Sequence, residues 1–202
     1  MNWVEENASS AGEMIYRLYK EMNRRITKEA ALYLYISILT DTGSFNYSNT
    51  SSATHEIVSE LLGHGVAPYD VSKRIYGNKT YADIKLLGRS LSGLKLVSGG
   101  RIAYIVVRKG LFRDTGTKPA SCENFINFAR SIGGVDVAVF FREDIKKNGV
   151  FHVSFRSTMN ADVNKIASSF GGGGHKSAAG CTLHGSFEEV KRKVLKRVND
   201  AL

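Results

Sequence analysis

Four consecutive glycines, residues 171–174, followed by His175 and Lys176, constrain this fold more than any other segment. Each glycine inside a helix or strand costs roughly 0.5–1 kcal/mol relative to alanine, because its backbone loses more conformational freedom on folding. A run of four therefore indicates a tight turn, or a backbone that packs where no Cβ fits. Backbone N–H groups beside a cation commonly bind a phosphate. The run predicts contact with a phosphate-bearing ligand.

The chain of 202 residues is long enough for one large domain or two small ones. No apolar run approaches the ~20 residues of a membrane span, and the N-terminus lacks the pattern of a signal peptide. The two cysteines, Cys122 and Cys181, are too few for a disulfide framework. We therefore expect buried or half-buried free thiols, no membrane partner and a cytoplasmic location.

Positive charge is concentrated in the second half of the chain. Residues 99–202 contain 17 Lys and Arg against 9 Asp and Glu, whereas residues 1–98 contain 11 against 10. Such a surplus indicates a polyanionic partner, with nucleic acid the leading class. Alternatively, much of it forms a solvated face that complements the negative end of a C-terminal helix, through Lys191, Arg192, Lys193, Lys196 and Arg197.

Residues 1–98 read as mostly helical, and Ser10 and Glu13 have the spacing of a capping box. Helices are predicted over 11–23, 28–40, 52–62 and 80–97, with a short one beginning at Pro68. The segment 28–40 also alternates like a strand, but its length and lack of turn residues favour a buried helix. A polar loop follows it over residues 40–51.

After residue 98 the pattern changes to strands interleaved with helices. Strands are predicted over 102–107, 135–141, 150–155 and 178–183, and helices over 120–132, 161–169 and 186–201. Interleaved strands and helices predict an α/β layer. The fold class is therefore α/β, with a domain boundary near residue 98.

Three polar clusters are candidates for chemistry. Asp41 opens the polar loop and is placed either to bind a metal or to cap its own turn. Arg156, followed by Ser157, ends a strand, where its guanidinium can grip a phosphate bidentately or form a surface ion pair with Asp162. His175 lies beside glycines that cannot shield it, and Asn164 either faces the same pocket or faces solvent.

In this order, the three clusters closely resemble the DHH family of phosphoesterases. Thr40-Asp41-Thr42-Gly43-Ser44-Phe45 resembles a metal-binding motif of that family. Phe155-Arg156-Ser157 and the segment 171–180 resemble its DHH-associated, substrate-binding domain. Within the family, the residues from His175 onward are most similar to bacterial nanoRNases, which degrade oligoribonucleotides and dephosphorylate 3′-phosphoadenosine 5′-phosphate.

The resemblance implies an organisation and a set of site residues. Residues 1–79 would be the helical C-terminal part of a DHH domain, 80–98 a linker helix, and 99–202 a small α/β substrate-binding domain. The family holds two manganese ions, for which Asp41 would be a catalytic metal ligand. The substrate, a short RNA or nucleotide, would be bound by Arg156, Ser157, Gly172, Gly173, Gly174 and His175.

The chain departs from the family pattern, because it contains no Asp-His-His and no Asp-x-Asp sequence. Asp41 alone cannot hold two metals, since divalent sites need several oxygen or nitrogen ligands. We therefore expect a truncated enzyme that is inactive by itself. The first two helices would then expose apolar faces, or cover them in a homodimer.

Three other functions remain open from the sequence. A cyclic dinucleotide phosphodiesterase has a similar C-terminal half, and exopolyphosphatases are more distant members of the same family. A non-catalytic module that binds short RNA is the alternative outside enzymes.

Overall fold

The structure is a computed structural model that describes residues 3–5, 7–158 and 161–202. The chain divides into two compact units, residues 1–78 and 79–202. The mixture of helices with one six-stranded sheet confirms the expected α/β class. None of the described helices is both long and apolar enough to cross a membrane.

Four α-helices lie within the described residues of the first unit. They are α1 (Ala11–Glu21), α2 (Lys28–Asp41), α3 (Ser52–Gly63) and α4 (Pro68–Tyr76). Segment 28–40 is thus a helix, as expected, and Pro68 occupies the first turn of α4. Leu34, Ile38 and Leu61 are buried in the core that joins these helices.

Close contact between α1 and α2 depends on Gly12. A Cβ at Gly12 would lie 2.7 Å from the Cβ of Ser37, and the Gly12 N–H donates to Ser37 Oγ at 3.2 Å. The small residue therefore sets how closely the two helices approach.

The second unit is built on a mixed sheet. Its strands are β1 (Lys95–Val97), β2 (Ile102–Val107), β3 (Val137–Glu143), β4 (Val150–Ser157), β5 (Gly173–His175) and β6 (Ala178–His184). They lie in the order β1-β2-β3-β4-β6-β5. Strands β2 and β3 are parallel, and all other neighbours are antiparallel.

Five α-helices accompany this sheet in the described part of the second unit. They are α5 (Tyr81–Ser92), α6 (Lys109–Thr115), α7 (Phe125–Arg130), α8 (Val163–Ser168) and α9 (Phe187–Asn199). Helices α5, α6 and α7 form one apolar core with one face of β2 and β3. Helices α8 and α9 form a second core on the opposite face, around Phe141, Phe151 and Phe155.

The structure corrects the expected helix over 80–97. Helix α5 ends at Ser92, because Gly93 follows it, and residues 95–97 form β1 instead. The turn from β1 to β2 uses Ser98, Gly99 and Gly100, all with positive φ. Leu86 of α5 is fully buried in the second unit's core, so the structure places this helix within that unit rather than as a separate linker.

Both cysteines are free and buried, as predicted. Burial raises the pKa of Cys122 and of Cys181 to about 11. The thiols are therefore protonated at neutral pH and are poor nucleophiles.

Candidate functional site

One half of a sheet face in the second unit is polar and open. On β4, side chains alternate between the buried core residues 151, 153 and 155 and the half-buried His152, Ser154 and Arg156. We call the second set, together with its neighbours on β5 and β6, the open surface. Those neighbours are Gly173, His175, Ala178, Gly180 and Thr182.

Arg156 and His175 lie in one row across three adjacent strands. Arg156 is opposite Ala178, and Ala178 is opposite His175. Directly opposed residues of antiparallel strands share a face, so both side chains rise from the open surface about 10 Å apart at their Cα atoms. Only a methyl group stands between them, which allows both to contact one ligand. The Arg156 Nη1 also donates to the Phe155 carbonyl at 2.9 Å.

The glycine run forms an edge strand rather than a single tight turn. Gly171, with a φ of 74°, ends the turn after α8, and β5 then pairs with β6 through a turn at Lys176 and Ser177. A Cβ at Gly172 would collide with the Gly180 carbonyl and with Cys181. The run therefore allows close packing on β6, while no strand from the described part of the chain pairs with the outer side of β5.

Gly174, like Gly172, has no room for a Cβ because β6 packs against it. A Cβ there would lie 2.5 Å from the Ala178 carbonyl oxygen. Gly173 is less restricted, since its nearest contact would be Asn164 Oδ1 at 3.8 Å. Asn164 therefore lies beside the hairpin of β5 and β6. The sequence alone does not determine whether this side chain faces the pocket or solvent.

Ser157 is not brought to the open surface. It follows Arg156 on β4 and so points to the opposite face, where it is buried. Its backbone N–H donates to the Ser177 carbonyl at 3.0 Å. This bond holds the turn at Lys176 and Ser177, which directly follows His175. Asp162 caps α8 by accepting from the N–H groups of Asn164 and Lys165.

Sequence reasoning missed a polar triad on the same surface. His152 Nε2 lies 2.9 Å from Asp144 Oδ2, and His152 Nδ1 lies 3.3 Å from Thr182 Oγ1. Contact with His152 and with the N–H groups of Lys146 and Lys147 holds the pKa of Asp144 well below its usual range. The alternation of His152, Ser154 and Arg156 along a strand is the signal that could have revealed this neighbour.

In the first unit, Asp41 is the last residue of α2 and is exposed. Residues 43–45 all have positive φ, which costs about 1–3 kcal/mol at each of the non-glycine positions Ser44 and Phe45. Asn49 secures the loop by donating to the carbonyls of Ser9 and Asp41. Across residues 3–5, 7–158 and 161–202, no group hydrogen-bonds the Asp41 carboxylate. A carboxylate at a helix C-terminus is electrostatically unfavourable, and a cation would relieve this.

The residues around Asp41 do not by themselves fit a two-metal centre. In the part of the chain that the structure describes, no group of three or more His, Cys, Asp or Glu side chains could hold a metal. Asp41 offers one carboxylate, whereas each divalent ion needs several donors.

A family comparison agrees with this geometry. Residues 99–202 match the model of the DHHA1 domain. The chain therefore belongs to the DHHA1 domain family, and the predicted resemblance is confirmed.

Known relatives match nearly the whole length of this chain. The chain is 30% identical over 193 residues to the bifunctional oligoribonuclease and PAP phosphatase NrnA of Bacillus subtilis, covering 94% of this chain and 59% of that protein. It is 32% identical over 201 residues to the protein of the same name from Thermus thermophilus, covering 98% and 59%. The chain thus spans about three fifths of the length of these relatives.

A solved structure has the same fold. An exopolyphosphatase-related protein from Bacteroides fragilis is 28% identical, with a TM-score of 0.90 over 99% of this chain and 62% of that one.

Proposed function

We propose that the open surface binds the phosphate and base of short oligoribonucleotides or of 3′-phosphoadenosine 5′-phosphate, as part of a phosphoesterase. The row of Arg156, Ala178 and His175 carries this proposal, because it places a cation and an imidazole on one face. Gly173 and Gly180 leave that surface without side chains. The names of the relatives, oligoribonuclease and PAP phosphatase, support this substrate class.

Arg156 is the residue to test for binding. Replacing it by glutamine removes a charge-assisted contact worth about 1.5–3 kcal/mol, so affinity for a diribonucleotide should fall roughly tenfold or more. Isothermal titration calorimetry measures this, with Arg192→Gln as a control that removes one exposed positive charge from α9. Equal affinities of the two variants would contradict the proposal.

Hydrolysis requires more than the open surface. We propose that Asp41 is one ligand of a manganese centre in the complete enzyme, and that this chain alone does not hydrolyse RNA. Incubation with a diribonucleotide and manganese should therefore give no product. Cleavage that is lost in Asp41→Asn would contradict the inactivity of the chain and support the metal role of Asp41.

A non-catalytic RNA-binding module is the second candidate. The lack of a three-donor metal cluster among the described residues favours it. Both proposals predict salt-dependent RNA binding without turnover, so the discriminating measurement is the effect of manganese on that binding. RNA affinity that neither manganese nor Asp41→Asn changes would support the module over the enzyme. Cyclic dinucleotide and polyphosphate hydrolysis are tested with those substrates in the same assay, the latter because of the exopolyphosphatase-related structural neighbour.

A further inference from the structure

A basic pocket lies at the carboxyl end of β2, outside the open surface. It has a volume of about 720 Å³, and Arg108, Lys109 and Arg113 contribute to its lining together with Phe112 and Glu143. All three cationic residues are exposed. The pocket and Arg156 lie near opposite ends of β4, about 17 Å apart along that strand.

Arg108 is held in a fixed position within this pocket. Its Nε donates to Glu143 Oε2 at 2.7 Å, and its guanidinium lies 5.6 Å from the Phe151 ring centre and 5.1 Å from that of Phe187. Outside residues 1, 2, 6, 159 and 160, no partner hydrogen-bonds its Nη groups. A guanidinium fixed through one edge loses little entropy when its other edge binds an anion.

Each of the acidic groups near the pocket contacts a basic side chain. Burial alone would raise the pKa of Glu143, but bonds from the Arg108 side chain and the Lys109 N–H lower it, so this carboxylate is charged and paired. Asp144 Oδ2 contacts His152 Nε2. Asp114 Oδ1 lies 4.0 Å from Arg113 Nε.

The cations outnumber these acids. Lys146 and Lys147 follow Asp144 and the lining residue Ile145, which adds two positive charges to those of Arg108, Lys109 and Arg113. The net charge at the pocket is therefore positive. These five cations form part of the surplus of Lys and Arg in residues 99–202, in addition to Arg156 on the open surface.

We propose that this pocket binds a phosphate group of an oligonucleotide, as a second anchor that does not involve Arg156 or His175. Its fixed arginine suits a phosphate oxygen pair, and its flanking cations suit the adjoining backbone. A longer strand can contact the pocket and the open surface together, whereas a dinucleotide bound at the open surface contacts one of them.

The test compares two double variants with the same loss of charge. Lys109→Gln/Arg113→Gln removes two exposed pocket cations, and Arg192→Gln/Lys193→Gln removes two exposed cations of α9. Affinities for a fluorescent oligoadenylate decamer and for a diribonucleotide are measured by fluorescence anisotropy at several salt concentrations.

The pocket variant should bind the decamer roughly tenfold more weakly at low salt. Its slope of log K against log salt should fall by about 1.4, since each lost phosphate contact contributes about 0.7 for a single strand. Diribonucleotide affinity should not change. An equal loss in both double variants, or a loss in neither, would overturn the proposal.

Two further measurements separate this proposal from that for the open surface. The pocket substitutions should weaken decamer binding by the same factor in an Arg156→Gln background, whether or not Arg156 binds substrate. Inorganic phosphate should shift the amide resonances of Lys109 and Gly110 in NMR spectra. Phosphate shifts with no effect on the decamer would mean a small phosphate-bearing ligand and would refute the oligonucleotide.

Discussion

Gly172 has the tightest packing restriction in the glycine run. An added Cβ would collide with the Gly180 carbonyl and with Cys181, both on β6. We predict that Gly172→Ala lowers the free energy of unfolding by about 1–3 kcal/mol, as overpacking does elsewhere. Urea denaturation followed by circular dichroism measures this.

Gly133 provides the matched control for Gly172. A Cβ there would meet nothing within 4 Å, and its φ is not positive. Gly133→Ala should therefore change stability by no more than about 0.5 kcal/mol. Similar losses in the two variants would show that the contact with β6 does not restrict position 172.

At the residue scale, the sequence indicated Arg156 and His175 but not how they are related. Residue types and glycine neighbours were enough to select both. Their common row depends on β6 lying between β4 and β5, which is a long-range pairing that no local pattern encodes. The burial of Ser157 does follow from strand alternation, once β4 is extended to that residue.

At the scale of elements, α1 is anchored by a buried carboxylate. Ser10 caps the helix as predicted, but Glu13 does not complete a capping box with it. Its carboxylate accepts instead from Ser9 Oγ at 2.6 Å and from the Ser9 N–H at 3.0 Å. Thr54 of α3 donates to it at 3.4 Å, and Arg17 forms an ion pair with it. The carboxylate therefore joins α1 to α3.

This anchor predicts a pH dependence of stability. Burial would raise the pKa of Glu13, but the bonds from Ser9 and Arg17 outweigh burial and lower the pKa below its ordinary value of 4.5. A lowered folded-state pKa means that the stabilisation is present above about pH 4.5 and is lost as the pH falls through the folded pKa.

Glu13→Gln should therefore unfold more easily by about 1–3 kcal/mol at neutral pH. The difference from wild type should shrink as the medium is acidified. Thermal melts across this pH range measure it, with exposed Glu56→Gln as the control. A deficit that stays constant down to the acid limit would show that the charge of Glu13 is not what stabilises the unit.

Element boundaries were less predictable than element types. The predicted helix ran past Gly93 to residue 97, yet pairing with β2 makes residues 95–97 a strand. Helix α6 has only seven residues and was missed, because such a short helix depends on tertiary packing, here through the buried Phe112.

At the scale of the whole molecule, the charge asymmetry read from the sequence corresponds to two units with different surfaces. The second unit has the basic surplus, which the pocket at Arg108 and the open surface share. The first unit is nearly neutral and instead exposes an apolar stripe. Composition shows that the surplus of Lys and Arg lies in the second half of the chain. Only the fold shows that these residues form two separate surfaces, the pocket at Arg108 and the open surface.

The apolar stripe lies on α1 and its C-cap Met22, and α1 is one of the two helices for which an exposed apolar face was expected. Ile15, Leu18 and Met22 are 47%, 44% and 55% exposed and follow one another at helical spacing. Covering half of each side chain would contribute roughly 1 kcal/mol per residue. We therefore predict self-association through this face, seen as a sedimentation coefficient that rises with concentration.

Leu18→Lys should abolish that rise, because association would bury an unpaired ammonium group. Ile84→Lys is the matched control, since Ile84 is 52% exposed but lies on α5 of the second unit. A wild-type chain that sediments as a monomer at every concentration would refute the prediction. If Leu18→Lys and Ile84→Lys reduced the concentration dependence of sedimentation equally, self-association would not use the α1 face. Only Leu18 lies on that helix, whereas Ile84 lies on α5.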